Sequence, residues 1–263
     1  MNSHQPVFPD SKMATHMPFL DGETLVFCRA DNFIEKTFGQ GASFPKEADR
    51  VPTNRSFLYR PWKLAFCAWK NGHARSIQTG LPVAAIECSP AIYRENGKIF
   101  LSFISGTPSD GTLHYRLYTS SGPTLEELEP ARPISNQTAL YGFVSAVHIC
   151  RGKGNELELL EKESGKILRV TTDFQGISRV TFLSEEPQKL LITGVDKARN
   201  YRTALHDLTT QQTWDLCSEG NLYKSTVHGE TVVFAHKLAG KENRELRHGQ
   251  YTLSPSSLQI THR

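Results

Sequence analysis

The stretch Ile86-Glu87-Cys88-Ser89-Pro90-Ala91-Ile92-Tyr93-Arg94-Glu95-Asn96-Gly97-Lys98-Ile99-Phe100-Leu101-Ser102-Phe103 decides how this chain is read. Its two apolar runs are rich in β-branched and aromatic residues, and Asn96-Gly97 between them supplies the positive φ values that a two-residue hairpin needs. Two antiparallel strands are expected here, and the same pattern recurs on either side. Thr24 to Cys28, Leu113 to Tyr118, Lys189 to Ile192 and Thr231 to Phe234 are strand-sized apolar blocks. Turn dipeptides stand at Asp21-Gly22, Asp110-Gly111, Ser121-Gly122 and His228-Gly229. Helical periodicity is nearly absent. Its best candidate, Thr124 to Glu129, starts at a capping threonine and stops at Pro130, which leaves room for a turn or two.

Aligned on these hairpins, the chain contains a weak repeat in which a hydroxyl residue opens an apolar strand. The openings are Thr15, Ser89, Ser145, Ser178 and Ser225, spaced 74, 56, 33 and 47 residues apart. The average is about 50 residues, the length of a four-stranded propeller blade with its loops. The fold expected is all-β, a single five-bladed β-propeller over residues 1–263, with a β-sandwich or barrel as the other arrangements of such strands. The widest gap contains Asp31 to Arg60, rich in Gly, Pro and charge and too long for an ordinary connection, so a functional loop or insertion is expected at about 31–60. From Gly41 to Arg75 there are seven basic residues, Lys46, Arg50, Arg55, Arg60, Lys63, Lys70 and Arg75, against Glu47 and Asp49. Such a patch suits an anionic ligand, or else a solvated face balanced by the acidic stretch Glu156 to Glu163.

Composition narrows the partners. Among 263 residues, 30 Lys and Arg stand against 27 Asp and Glu for a net charge of +3, which argues against a nucleic-acid surface. Hydrophobic residues at 38% are enough for a packed core. The longest apolar run, Leu64 to Trp69, falls far short of the roughly 18 residues of a membrane helix, so no membrane association is expected. Met1 to Asp10 show no basic segment followed by an apolar one, and the chain is read as cytoplasmic. Cys28, Cys67, Cys88, Cys150 and Cys217 are widely separated and form no C-x-x-C pair, so buried thiols are expected. Ten histidines form no H-E-x-x-H, although His148 and His228 share a repeat position. No metal or cofactor is expected, and G-x-S-x-G, Walker A and dinucleotide fingerprints are absent.

The Ile86 to Phe103 segment resembles a blade of the five-bladed propeller glycosidases, the invertase, levansucrase and arabinanase group. In those blades an acidic residue and a proline lead through an apolar strand to a Gly turn and an aromatic-rich strand. Leu117 to Pro130 is similar to the way such a blade closes, so the resemblance covers about 45 residues. It implies an axial pocket faced by acidic residues at the inner strand ends, where one carboxyl protonates the leaving group and another acts as nucleophile or base. In this chain the aligned openings are hydroxyls, so the base is missing from that place. Glu87-Cys88 resembles the Glu-Cys-Pro motif that carries the general acid in the invertase branch, with Ser89 inserted before Pro90.

Glu87 is therefore the candidate acid, against a charged strand end paired with an arginine. His16 is the candidate base, because imidazole titrates near neutral pH; Asp10, Asp21 or Asp31 are alternatives. Tyr141, Phe143 and Tyr223 are candidates to stack on a sugar, and Arg179 and Lys224 to donate to an anionic group. The function expected is binding of a small polar ligand, a carbohydrate or anionic metabolite, in the axial pocket, with atypical glycoside processing as the enzymatic form. Two other readings stand beside it: a non-catalytic lectin-like or scaffolding propeller, and a lyase, isomerase or cyclase of secondary metabolism using His16, Glu87 and Lys224.

Overall fold

The computed structural model describes residues 14–30, 62–68, 73–82, 85–109, 112–184, 188–198, 201–215, 221–228, 231–237, 246–253 and 258–261. Its elements are strands in five four-stranded antiparallel sheets, each built from four consecutive strands. The first sheet holds β1 (Ala14–Asp21), β2 (Thr24–Ala30), β3 (Lys63–Ala68) and β4 (Arg75–Ser76); the second holds β5 (Ile86–Glu95), β6 (Lys98–Ser109), β7 (Thr112–Gly122) and β8 (Arg132–Pro133). The third holds β9 (Tyr141–Val144), β10 (His148–Lys153), β11 (Glu156–Glu161) and β12 (Ile167–Thr171); the fourth holds β13 (Gly176–Ser184), β14 (Lys189–Val195), β15 (Tyr201–Asp207) and β16 (Thr213–Asp215). In the fifth are β17 (Asn221–His228), β18 (Thr231–Lys237), β19 (Leu246–Leu253) and β20 (Leu258–Thr261). Side-chain surroundings are described in the first four sheets. The fold is an all-β propeller, in which consecutive up-and-down sheets pack through their first strands: β1 against β5, β5 against β9, β9 against β13, and β17 against β1.

Local sequence explains the hairpins. Asn96 (φ 50°) and Gly97 (φ 73°) both lie in the left-handed region, as a type I′ turn requires, and they set the β5–β6 register so that Glu95 faces Lys98 and Ile92 faces Leu101. In β5 every residue from Ile86 to Ile92 is buried, without alternation, because a first strand is covered on both faces by neighbouring sheets. Apolar packing forms two main bodies. One joins the first and second sheets around Leu64, Ile86, Leu101 and Phe103, and the other joins the third and fourth around Phe143, Leu157, Leu190 and Ile192. Phe19 on β1 packs against both.

Two local expectations are corrected. Ser121-Gly122 is the end of β7 rather than a hairpin turn: Gly122 pairs with Ile99, and its missing side chain makes room for the Glu127 carbonyl beside it. Thr124 to Glu129 forms bends rather than a helical turn, held by Glu127 N–H to Thr124 C=O at 3.3 Å and Glu129 N–H to Ser121 C=O at 2.9 Å. A short segment so tied to its preceding strand has no room to nucleate a helix.

The repeat also takes another form. Thr15 and Ser225 stand in regular pairs with Arg29 and Phe234, and Ser145 follows the end of β9 and closes a turn with His148. What recurs is a break of register near the start of the first strand: between His16 and Phe19, between Cys88 and Ala91, between Ile177 and Arg179, and between Leu222 and Lys224. Pro18 and Pro90 occupy two of these bulges, where a residue without an N–H costs no ladder bond. The serine that interrupts the Glu-Cys-Pro resemblance is thus the extra residue of a bulge, with Ser89 at φ 53°.

Candidate functional site

All seven residues expected at the axis lie on first strands. His16 is on β1, Glu87 on β5, Tyr141 and Phe143 on β9, Arg179 on β13, and Tyr223 and Lys224 on β17. Phe182 of β13 meets Phe143 at a centroid distance of 5.2 Å and Phe19 of β1 at 6.4 Å. Since β1 and β13 belong to sheets that do not follow one another, the Phe19–Phe182 contact crosses the axis. At this level the axis is filled with aromatic rings in tilted packing. Phe143 is fully buried among them, a core position rather than an open stacking face.

Arg179 lies beside the bulge of β13, buried to 8% exposure. Burial holds its guanidinium down to about 10, against the opposing influence of Cys28 on β2. Cys28 feels Cys88, Arg179 and Glu87, so groups from β2, β5 and β13 converge here. Burial pushes the Cys28 thiol well up and the Cys88 thiol up to about 12, which keeps both protonated and unreactive at neutral pH. Cys28, Cys67, Cys88 and Cys150 are buried free thiols as expected, while Cys217 lies outside the described residues. The site is thus a cationic group and two thiols in a low-dielectric surround.

Glu87 acts on both thiols, but its hydrogen bonds lead away from the axis. At 2% exposure, its Oε1 accepts from Thr79 Oγ1 at 2.7 Å and from Lys63 Nζ at 3.2 Å, and its Oε2 accepts from the Leu64 N–H at 3.0 Å. The Glu87 N–H donates to the Trp62 carbonyl at 2.9 Å, and Lys63 Nζ also reaches the Pro82 carbonyl. Every one of these partners belongs to β3 and its flanks or to the connection into β5, so the carboxylate ties the first sheet to the second. The paired strand end foreseen in the sequence is present, with a lysine in place of the arginine. Lys63 and Thr79 were not foreseen as partners. Lys63 was visible only as one member of a basic stretch, and nothing local marks Thr79.

Tyr141 turns into its own sheet: its hydroxyl donates to the carbonyls of Glu156 at 2.7 Å and Gly154 at 3.0 Å. The stacking role expected of it gives way to bracing of the β10–β11 hairpin. Asp21, considered as a base, closes the β1–β2 hairpin and pairs with Arg94 at 2.8 Å. Asp10, Asp31 and the whole expected loop at 31–60 lie outside the described residues, as do the side chains of His16, Tyr223 and Lys224. The first strands hold three carboxyl residues, Asp21, Glu87 and Glu95, and two of these sit at the hairpin ends, away from Glu87. A pair of carboxylates flanking one bond is absent from the described first strands.

No family model matches the chain, and no curated protein matches it. Solved structures do. An alpha-L-arabinanase from Cellvibrio cellulosa is 11% identical, with 94% of this chain and 95% of that one covered at a TM-score of 0.52. A thermostable family-43 glycoside hydrolase gives 8%, 95%, 94% and 0.54, and a putative TolB from Agrobacterium tumefaciens gives 10%, 95%, 81% and 0.55 in the same order. The chain spans about half, 53%, of a longer puromycin-hydrolyzing peptidase from Mycobacterium tuberculosis. At these identities the likeness establishes the fold, and glycoside hydrolases are among the proteins that share it.

Proposed function

We propose that the chain is a five-bladed propeller that binds a small sugar-like ligand carrying an anionic group, with Arg179 as its anchor at the axis. Five consecutive sheets, with β17 packed against β1, support the count of blades. The observation that carries the binding reading is Arg179 itself, a buried cation on a first strand whose field reaches Cys28 in a non-consecutive sheet. A guanidinium in so dry a place favours an anionic partner strongly, and its planar fork matches a carboxylate in particular. The likeness in fold to an arabinanase supports a sugar as the rest of the ligand. Binding is favoured over hydrolysis because Glu87 is engaged in joining two sheets.

Isothermal titration with glucuronate and glucose, followed by Arg179→Met and Arg179→Lys, tests this. Glucuronate is expected to bind at least tenfold more tightly than glucose, and Arg179→Met to remove that preference. Equal binding of the two sugars, or a preference kept in Arg179→Met, would overturn it. A second reading, glycoside processing with Glu87 as acid and His16 as base, rests on both residues standing near the starts of adjacent packed strands, β1 and β5. Turnover of aryl glycosides that disappears in Glu87→Gln while the fold persists would put that reading first.

A further inference from the structure

Away from the axis, the first and second sheets leave a groove of about 500 Å³, within the range of small-molecule sites. Its charged lining is Arg75, Arg94 and His73 against a single carboxylate, Glu126, with the hydroxyl of Thr24 as a further donor. Each arginine is steadied by one acid: Arg75 Nη1 meets Glu126 Oε1 at 2.8 Å, while Arg94 presents Nε at 3.0 Å and Nη2 at 2.8 Å to Asp21 Oδ2. A guanidinium has five N–H groups, so these pairs aim the arginines while leaving most of their donors for another anion. The floor is apolar, formed by the buried side chains of Phe66, Ile99 and Leu125. Arg75 is also the last member of the basic stretch noted in the sequence.

We propose that this groove binds a small organic phosphate, with its phosphoryl oxygens between Arg75 and Arg94 and its apolar body on Phe66, Ile99 and Leu125. A carboxylate is satisfied by one fork, whereas a phosphate offers three oxygens to donors arriving from two strands, β4 and β5. The apolar floor favours an ester over the free ion, because a bare phosphate would leave that surface wet.

Isothermal titration of the whole chain with phenyl phosphate, inorganic phosphate and benzoate is the test. Phenyl phosphate is expected to bind at least tenfold more tightly than either of the others. Arg75→Ala and Arg94→Ala should each weaken it at least tenfold, and Arg179→Met should leave it unchanged. Arg94→Lys, which keeps a cation beside Asp21 but loses the fork, should also weaken it and guards against misfolding of the alanine variant. Absence of phenyl phosphate binding, affinity unchanged in the Arg75 and Arg94 variants, equal affinity for inorganic phosphate, or loss in Arg179→Met would each overturn the proposal. The last result would place the anion at the axis.

Discussion

Glu87 shows how a residue readable as chemistry becomes structure once its partners are known. A buried carboxylate with three donors is stable only while all three are present, so removing it strands Lys63, the Leu64 N–H and the Thr79 hydroxyl. Glu87→Ala is expected to cost about 3 kcal/mol in urea unfolding. Glu87→Gln, whose amide oxygen can still accept from Thr79 or Leu64, should cost clearly less; equal losses would mean that the Lys63 ion pair dominates. Tyr141→Phe removes one hydroxyl shared between two carbonyls and should cost about 1 kcal/mol by the same measurement. The acid–cysteine motif was legible in the sequence. The donors were not, because they lie 8 to 24 residues away and meet Glu87 only after two sheets pack.

At the scale of elements, the hairpins were readable because turn chemistry is local. Asn96-Gly97 dictates its own turn, and the strands on either side follow. The bulges were not readable as such, since a register break is defined by a partner strand. Ser89, at φ 53°, makes a test of the β5 bulge. Ser89→Gly should keep or slightly raise the melting temperature, whereas Ser89→Val, β-branched in the left-handed region, should destabilise by about 1–2 kcal/mol. Equal tolerance of both would show that the bulge is not held in that conformation. Misreading the hydroxyls as strand openings came from the same cause: Thr15 and Ser225 are near the bulges in sequence but outside them in pairing, and Ser145 follows the end of β9, whose register is unbroken.

At the scale of the molecule, the cross-axis aromatics should couple sheets that are otherwise apart. In a double-mutant cycle, Phe19→Ala and Phe182→Ala are expected to show a coupling of about 1 kcal/mol, as neighbouring rings do; additivity would place the rings out of contact. Acid stability follows from the groups whose proton affinity the fold shifts. Burial lowers the proton affinity of His206, against the pull of Asp207, and its Nε2 has no partner among the described residues. Below the unfolded value of about 6.5 the unfolded chain binds a proton that the folded chain refuses, so stability falls as pH falls through that region. Glu158, held low chiefly by its hydrogen bond from Arg151, and Asp173, held low chiefly by that from Arg202, are ionised in the fold below their unfolded values. Their contribution is present above about pH 4 and is lost as pH falls through their folded values. Melting temperature should therefore decline in two steps from pH 8 to pH 3, and His206→Gln should remove the upper one; an unchanged upper step would assign it to another histidine.

The sequence by itself determined the all-β class, the hairpins at Asp21-Gly22 and Asn96-Gly97 and the burial of the four described cysteines, because turn conformation, strand periodicity and the hydrophobicity of a thiol are properties of a few neighbouring residues. Tertiary structure alone decided which polar groups are buried and what they meet. Arg179 gained its dry position when sheets far apart in the chain came together, Glu87 its three donors when the first sheet packed on the second, and the groove of Arg75 and Arg94 exists only between those two. Burial and hydrogen bonding across sheets depend on packing, and no local pattern of residues encodes the distance between two strands that are not yet neighbours.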